Sequence, residues 1–197
     1  MQASKTARSN PERTEATQAA LIAAARQLFI DKGYADTGTP EIVAAAGVTR
    51  GALYHHFSYK ADLLWAVARQ AADEVAADIE RGSADAATPL AALITGTERY
   101  FSAMATQGRA HLLLLVAPAV LRADQVLELS ARAGAAELRA GLAAALGAGA
   151  PPPEALDALA LQLSAAFDRA ALAIARGEPA EPQRQAMRWL LARLMAA

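Results

Sequence analysis

The sequence predicts an all-α chain, with an N-terminal domain of three helices followed by a larger helical bundle. Three observations carry that expectation. Alanine and leucine dominate the 197 residues while aromatics make up only 5%, and Ala and Leu lead the helix propensity scale. No run of alternating Val, Ile, Thr or Tyr between turn signals reads as a strand. Apolar residues recur at helical spacing along the whole chain, punctuated by Gly and Pro.

Residues 1–13 read as a polar, basic arm (Lys5, Arg8, Arg13) ending at Asn10-Pro11. Such an arm is either a solvated tail or a segment that reaches into a groove. The first helix is expected from about Thr14 to Lys32, with Leu21, Ala25, Leu28 and Phe29 as its buried stripe. Gly33 stops it, because the residue after a helix commonly needs positive φ. Thr39 is placed to cap a second helix, with Pro40 at its first position and Glu41 at its positive end. Ile42, Val43 and Ala46 face inward, and Gly47 ends the helix.

Thr49 caps a third short helix, with Val48 as the apolar entry residue. Val48, Leu53 and Phe57 point to the core, which leaves Arg50, Gly51, Tyr54 and His55 outward. Ser58 offers a cap for a long fourth helix that carries Lys60 in its first turn, then Leu63, Leu64, Val67 and Ala71 as its stripe. Beyond Gly82, Gly/Pro breaks leave helices at roughly 89–106, 109–121, 124–146, 154–176 and 181–196.

Composition narrows the function classes. The sequence has no cysteine, which removes disulfides, thiolate zinc sites and cysteine nucleophiles and suits a reducing cytosol. Met1–Gln18 lacks the apolar core of a signal peptide, and the aliphatic stretch Leu112–Leu121 contains Pro118 and falls short of the ~20 residues that a membrane span needs. A soluble, cytoplasmic protein with no membrane partner is expected. Net charge is −1, but residues 1–60 carry seven Lys/Arg against five Asp/Glu, and residues 61–197 twelve against fifteen. The positive sign of the first part suits a module that approaches phosphates.

A short helix, a Gly turn and a second short helix make a helix-turn-helix, whose second helix lies in a DNA major groove. Gly47 permits the tight turn. Thr49, Tyr54 and Lys60 offer donors to phosphate oxygens. Arg50 is the best candidate for reading a base, since its fork matches the guanine O6/N7 edge. Gly51 and Ala52 keep the helix slim, and Ala52 can touch a thymine methyl. His55 and His56 are neighbours about 100° apart on a helix, which is poor geometry for a shared metal ion.

The strings Gly33-Tyr34, Ile42-Val43-Ala44-Ala45-Ala46-Gly47-Val48, Gly51-Ala52-Leu53-Tyr54-His55-His56-Phe57 and Lys60-Ala61-Asp62-Leu63-Leu64 resemble the N-terminal signature of the TetR/AcrR family of repressors. The likeness runs from about Thr17 to Val67. It implies phosphate contacts from Thr39, Tyr54, His55 and Lys60, and groove contacts from Thr49, Arg50, Gly51 and Ala52. The sequence departs from the pattern twice. Pro40 stands where many members carry a base-reading arginine, and Tyr59 stands where Ser or Asn usually caps helix four. For the rest of the chain the resemblance implies a helical domain that binds a ligand and, through its last two helices, a second copy.

The expected organisation is therefore an arm over 1–13, a helix-turn-helix domain over 14–59 and a ligand-binding and dimerisation domain over 60–197. Ligand pockets are mostly apolar with a few polar fixtures, which selects Trp65, Tyr100, Met104, His111, Leu115 and Phe167 as pocket candidates. Asp168 can fix a cationic ligand or pair with Arg169. Surplus apolar width on the last two helices selects Leu159, Leu163, Ala170, Trp189, Leu190 and Arg193 for a homodimer contact. The expected partners are a palindromic double-stranded DNA operator, a small apolar effector and a second copy of the chain. No catalytic set, cofactor or metal site is expected, because no nucleotide loop, carboxylate–histidine pair or convergent polar cluster is present. The expected activity is operator binding relieved by the effector. A regulator without a ligand remains the alternative.

Overall fold

The computed structural model describes residues 10–83 and 85–195, all in helices and short connections, with no strand among the described residues. The chain divides into two compact units, Met1–Val67 and Ala68–Ala197. The boundary falls inside the fourth helix rather than at residue 59, where the sequence placed it.

The first unit holds α1 (Asn10–Asp31), α2 (Thr39–Ala46), α3 (Arg50–His56) and the start of α4 (Lys60–Ser83). α1 begins four residues before the expected Thr14, with Pro11 in its first turn, where a missing N–H costs nothing. Asn10–Arg13 are thus helix and not arm; the rest of the expected arm lies outside the described residues. Leu21, Ala25 and Phe29 of α1 are buried with Ile42 of α2, Leu53 of α3 and Phe57. These side chains form one small core that holds three short elements.

Local caps differ from the expectation at two helix starts. α2 is preceded by Gly38, not Thr39, and the Gly38 N–H donates to the Glu41 carboxylate at 3.1 Å. At α4 the Asp62 carboxylate accepts from the Tyr59 N–H at 2.8 Å, the half of a capping box that the third helical residue supplies, and it satisfies the N–H of Tyr59 itself. Thr49 caps α3 as expected, its hydroxyl accepting from the Ala52 N–H at 3.2 Å. Gly47 has φ 66°, the left-handed turn that joins α2 to α3.

The second unit runs from Ala68 through α5 (Pro89–Met104), α6 (Arg109–His111), α7 (Ala117–Val120), α8 (Ala123–Ser130), α9 (Ala136–Leu146), α10 (Pro153–Ala175) and α11 (Ala180–Met195). α10 is the hub, packing on α5, α6, α9 and α11. It is long and apolar enough to cross a membrane by composition, but Leu156, Ala160, Leu163, Phe167, Ala170 and Ala171 are buried in this unit's core. α11 is fastened to α5 by Glu98, which accepts from Arg184 at 2.8 Å and from Arg188 at 2.5 Å. Partial burial pushes the Glu98 carboxyl up, but the two guanidinium partners outweigh it and hold it below its ordinary value.

Two irregular turns interrupt helices that the periodicity had drawn as continuous. Leu112–Val116 forms a π turn between α6 and α7. Between α8 and α9, Ala131–Ala135 is kinked at Ala133 and Gly134, the latter with φ 119°. A side chain at Gly134 would be strained, and its Cβ would stand 2.7 Å from Ile79 Cδ1. Irregular helix turns of this kind often mark functional sites, and both lie on the cavity described next.

Candidate nucleic-acid interface and ligand cavity

α3 presents Arg50, Gly51, Tyr54 and His55 to solvent, with Leu53 beneath them in the core. From Thr39 to His56 the only carboxylate is Glu41, and Lys32 pairs with it. The Glu41 carboxyl is held below its ordinary range by the Lys32 hydrogen bond and then by the Gly38 N–H. The exposed surface of α3 is therefore free of anions, as a surface facing phosphate requires.

The guanidinium of Arg50 lies 5.5 Å from the Tyr54 ring centroid. Hydrogen bonding of the Tyr54 hydroxyl to Thr39, and then to Arg50, lowers the phenol below its ordinary pKa. Thr39, Arg50 and Tyr54 thus form one cluster spanning α2 and α3. Thr49 and Pro40 are exposed, while Thr39 and Ala52 are half-buried. The His55 and His56 rings stand edge to face, 5.3 Å apart.

Lys60, expected to donate to a phosphate, turns its ammonium toward the α1–α2 turn. Its ammonium donates to the Tyr34 carbonyl at 2.8 Å and the Thr37 carbonyl at 3.0 Å, and sits 4.2 Å from the Tyr34 ring centroid. Two of its three N–H groups are thereby committed to the α1–α2 turn. Thr37, only 1% exposed, closes the same turn with its hydroxyl 2.7 Å from the Gly33 carbonyl. Lys60→Ala should lower the stability of the protein by about 1–2 kcal/mol, since charged hydrogen bonds are lost from half-buried carbonyls. DNA binding should fall by similar factors on every sequence. Thermal unfolding checks it: an unchanged midpoint with lost binding would place Lys60 at a phosphate instead.

The second unit holds a partly open cavity of about 320 Å³ lined by α4, α5, the π turn, α7, α8, the kinked turn, α9 and α10. Of the six pocket candidates, Tyr100, Met104 and Phe167 line it and Trp65, His111 and Leu115 do not. Trp65 belongs to the first unit. The π turn shifts the register of Leu112–Val116, so that Leu113 and Leu114 take the wall, Leu115 is off it and His111 is exposed. Most of the wall is apolar. Polar groups come from Thr97, Tyr100, Ser130, Glu137, Ser164, Asp168 and Arg169.

Two acids are notable on this wall. Asp168 does not pair with Arg169; it accepts from the Tyr100 hydroxyl at 2.5 Å. Burial raises the Asp168 carboxyl above its ordinary range, partly offset by that hydrogen bond. Burial, then the facing Asp168 charge, raises the Tyr100 phenol well above its own. Glu137, which no sequence signal singles out, has Oε2 closed off from solvent with no hydrogen-bond partner among the described residues.

The six dimer candidates separate by burial. Leu163 and Ala170 are each 5% exposed within their own chain, so they belong to its core and cannot present a surface. α10 is covered on that side by its neighbours, a fact that helical periodicity does not reveal. Leu159 and Leu190 are half-buried, and Arg193 is exposed beside Trp189, its guanidinium 5.6 Å from the indole centroid. Trp189 is 61% exposed, and Leu161, absent from the expected set, is 60% exposed.

Helices α2 and α3, joined by a left-handed glycine over a shared core, define a helix-turn-helix protein. Residues 21–67 match the family model described as bacterial regulatory proteins, tetR family. Over 60 residues the chain is 43% identical to the HTH-type transcriptional regulator TtgR of Pseudomonas putida, a stretch covering 30% of this chain and 29% of that relative. The match therefore spans less than a third of the relative's length. The solved structure of a TetR-family transcriptional regulator from Pectobacterium atrosepticum shares 28% identity, covers 95% of both chains and gives a TM-score of 0.71. RolR, solved in complex with resorcinol, is alike in fold, at 19% identity, 94% and 90% coverage and a TM-score of 0.70. Over its N-terminal domain the chain is thus similar to the TetR family, and the relatives named here are transcriptional regulators.

Proposed function

We propose that the chain is a homodimeric transcriptional repressor that binds a palindromic double-stranded DNA operator and leaves it when a small, largely apolar ligand fills the cavity. The observation that carries this reading is the anion-free surface of α3, with Arg50 at its N-terminal end. Arg50 reads a guanine edge, and Thr39, Thr49, Tyr54 and His55 hold the backbone, with Gly51 and Ala52 allowing close approach. Pro40, exposed at the start of α2, offers no donor. Affinity from one short reading helix is small, so two copies in successive major grooves are needed.

The exposed Leu161 and Trp189 support a second copy docking on α10 and α11, with Leu159, Leu190 and Arg193 around them. The cavity volume lies at the lower end of the ~300–1,000 Å³ typical of ligand sites, and RolR's resorcinol shows a ligand in a protein of the same fold. A ligand releases DNA only by favouring the released conformation over the bound one. α4 is the element suited to carry that preference, because Ile79 lines the cavity and Lys60 opens the same helix.

Sedimentation should show a dimer at micromolar concentration, and Trp189→Glu should shift it to monomer with loss of at least about tenfold in operator affinity. A wild-type monomer that binds the operator at full affinity would contradict the dimer. The reading as a whole is tested by electrophoretic shift of the full chain on DNA selected from random sequence, with and without added ligand.

A further inference from the structure

Polar groups on the cavity wall differ in what they have left to offer a ligand. The Thr97 hydroxyl is spent on the Leu93 carbonyl at 2.9 Å. Glu137 Oε2 is closed to water, so a ligand cannot reach it either. Asp168 lines the cavity, is half-buried, and has no cationic partner among the described residues. Tyr100 donates to its Oδ1 at 2.5 Å, and its Oδ2 has no protein donor among the described residues. Unlike Glu137 Oε2, that oxygen is not sealed from water. Burial raises the carboxyl above its ordinary range, so the acid is poorly solvated. A donor that reaches Oδ2 is therefore worth more there than in bulk water.

We propose that Asp168 and Tyr100 form an acceptor subsite that selects an aromatic ligand carrying a hydrogen-bond-donating group, a hydroxyl or an N–H. This deepens the reading of the cavity as the effector site and rests on it. A carboxylate accepts on both oxygens, and the Tyr100 hydroxyl already occupies one of them. With Oδ1 fastened, the carboxyl is held in one orientation, so less freedom is lost when a ligand meets Oδ2. The aromatic body has Tyr100 and Phe167 beside it, their rings edge to face with centroids 5.8 Å apart. Leu93, Met104 and Leu113 supply apolar wall around it. An anionic ligand would meet the Asp168 charge, and one without a donor would leave Oδ2 without water or partner.

The test uses the full chain and three probes that share one aromatic body: 1-naphthol, its methyl ether 1-methoxynaphthalene, and 1-naphthoate. A neutral donor is used so that hydrogen bonding is read apart from charge. Calorimetric titration should rank naphthol above the ether by about tenfold, the scale of a hydrogen bond to a charged group, with naphthoate weakest. Asp168→Asn keeps an oxygen for the Tyr100 hydroxyl but presents an amide donor in place of the second acceptor. It should bring naphthol and the ether within about threefold of each other and strengthen naphthoate. Asp168→Leu removes both oxygens and should close the same gap, with ether affinity held within about threefold of wild type as the sign of an intact cavity.

The ranking in the wild type decides the proposal even if a variant fails to fold. Equal affinity for naphthol and its ether, no binding of naphthol, tightest binding of naphthoate, or a gap that survives both substitutions would each overturn it. The function reading fails separately. If naphthol binds with this preference but leaves operator binding unchanged, the ligand class stands and ligand-released regulation falls.

Discussion

Arg50→Ala should relax base preference at one position in each operator half-site, at a cost of about 1–3 kcal/mol per half-site, the worth of a bidentate arginine–guanine contact. Two copies of α3 act on a palindrome, so the total loss on the best sequence should approach twice that figure. Binding to unrelated DNA should change much less, because one cation among several backbone donors contributes little to non-specific affinity. The physical basis is the position of Arg50: it is the first residue of α3, exposed, and held near Tyr54 rather than in an ion pair. Contact with Tyr54 restricts the side chain before DNA arrives, which lowers the entropy lost on binding. Competition binding across single-base variants of the site measures this. A uniform loss at every position would assign Arg50 to phosphate instead.

Arg109→Ala should destabilise the protein by about 2–4 kcal/mol, somewhat under the ~3–5 kcal/mol of breaking a fully buried ion pair from one side. Arg109 is 6% exposed. It donates to the Ala103 carbonyl at 2.8 Å and to Glu74 at 2.5 Å, with Asp78 at 3.8 Å. These contacts fasten α6, and the π turn that follows it, to α4 and to the end of α5. Glu74 and Asp78 reach solvent through about a third of their side chains and can rehydrate, which keeps the loss below the upper end of the range for such pairs. Arg109→Met retains the packing of the stem and should cost less than half as much. A urea midpoint unchanged by Arg109→Ala would show that packing alone fixes α6.

The helices were legible because alanine–leucine periodicity and Gly/Pro breaks report directly on which residues can sit in a helix and where it must stop. That is why α5, α10 and α11, and the segment from the start of α6 to the end of α7, begin and end within two residues of the expected places. The reading surface was legible for the same reason: Leu53 and Phe57 have to be inside, so Arg50, Tyr54 and His55 have to be outside. What escaped depends on partners distant in sequence. Lys60 looks like a surface lysine until Tyr34 and Thr37 are folded beneath it. Leu163 and Ala170 share a stripe with surface residues, and only packing shows that neighbouring helices already cover them.

The cavity was half legible. Tyr100, Met104 and Phe167 follow from helical spacing, whereas the π turn at Leu112–Val116 breaks that spacing and moves the wall from His111 and Leu115 to Leu113 and Leu114. Gly134 carried a signal that was available, an isolated glycine inside an alanine-rich helix, and it marks the kink. Glu137 carried none, since helical spacing does not show whether a carboxylate oxygen finds a partner.

The central claim is that α3 reads DNA as one half of a symmetric pair, and selection of bound sites from a pool of random duplexes by the full chain tests it most directly. The account predicts an enriched inverted repeat whose half-sites are centred about one helical turn, ~34–36 Å, or a multiple of it apart. Each half should contain a guanine whose replacement has no effect on Arg50→Ala. Enrichment of a single asymmetric site, or of no sequence at all, would contradict it.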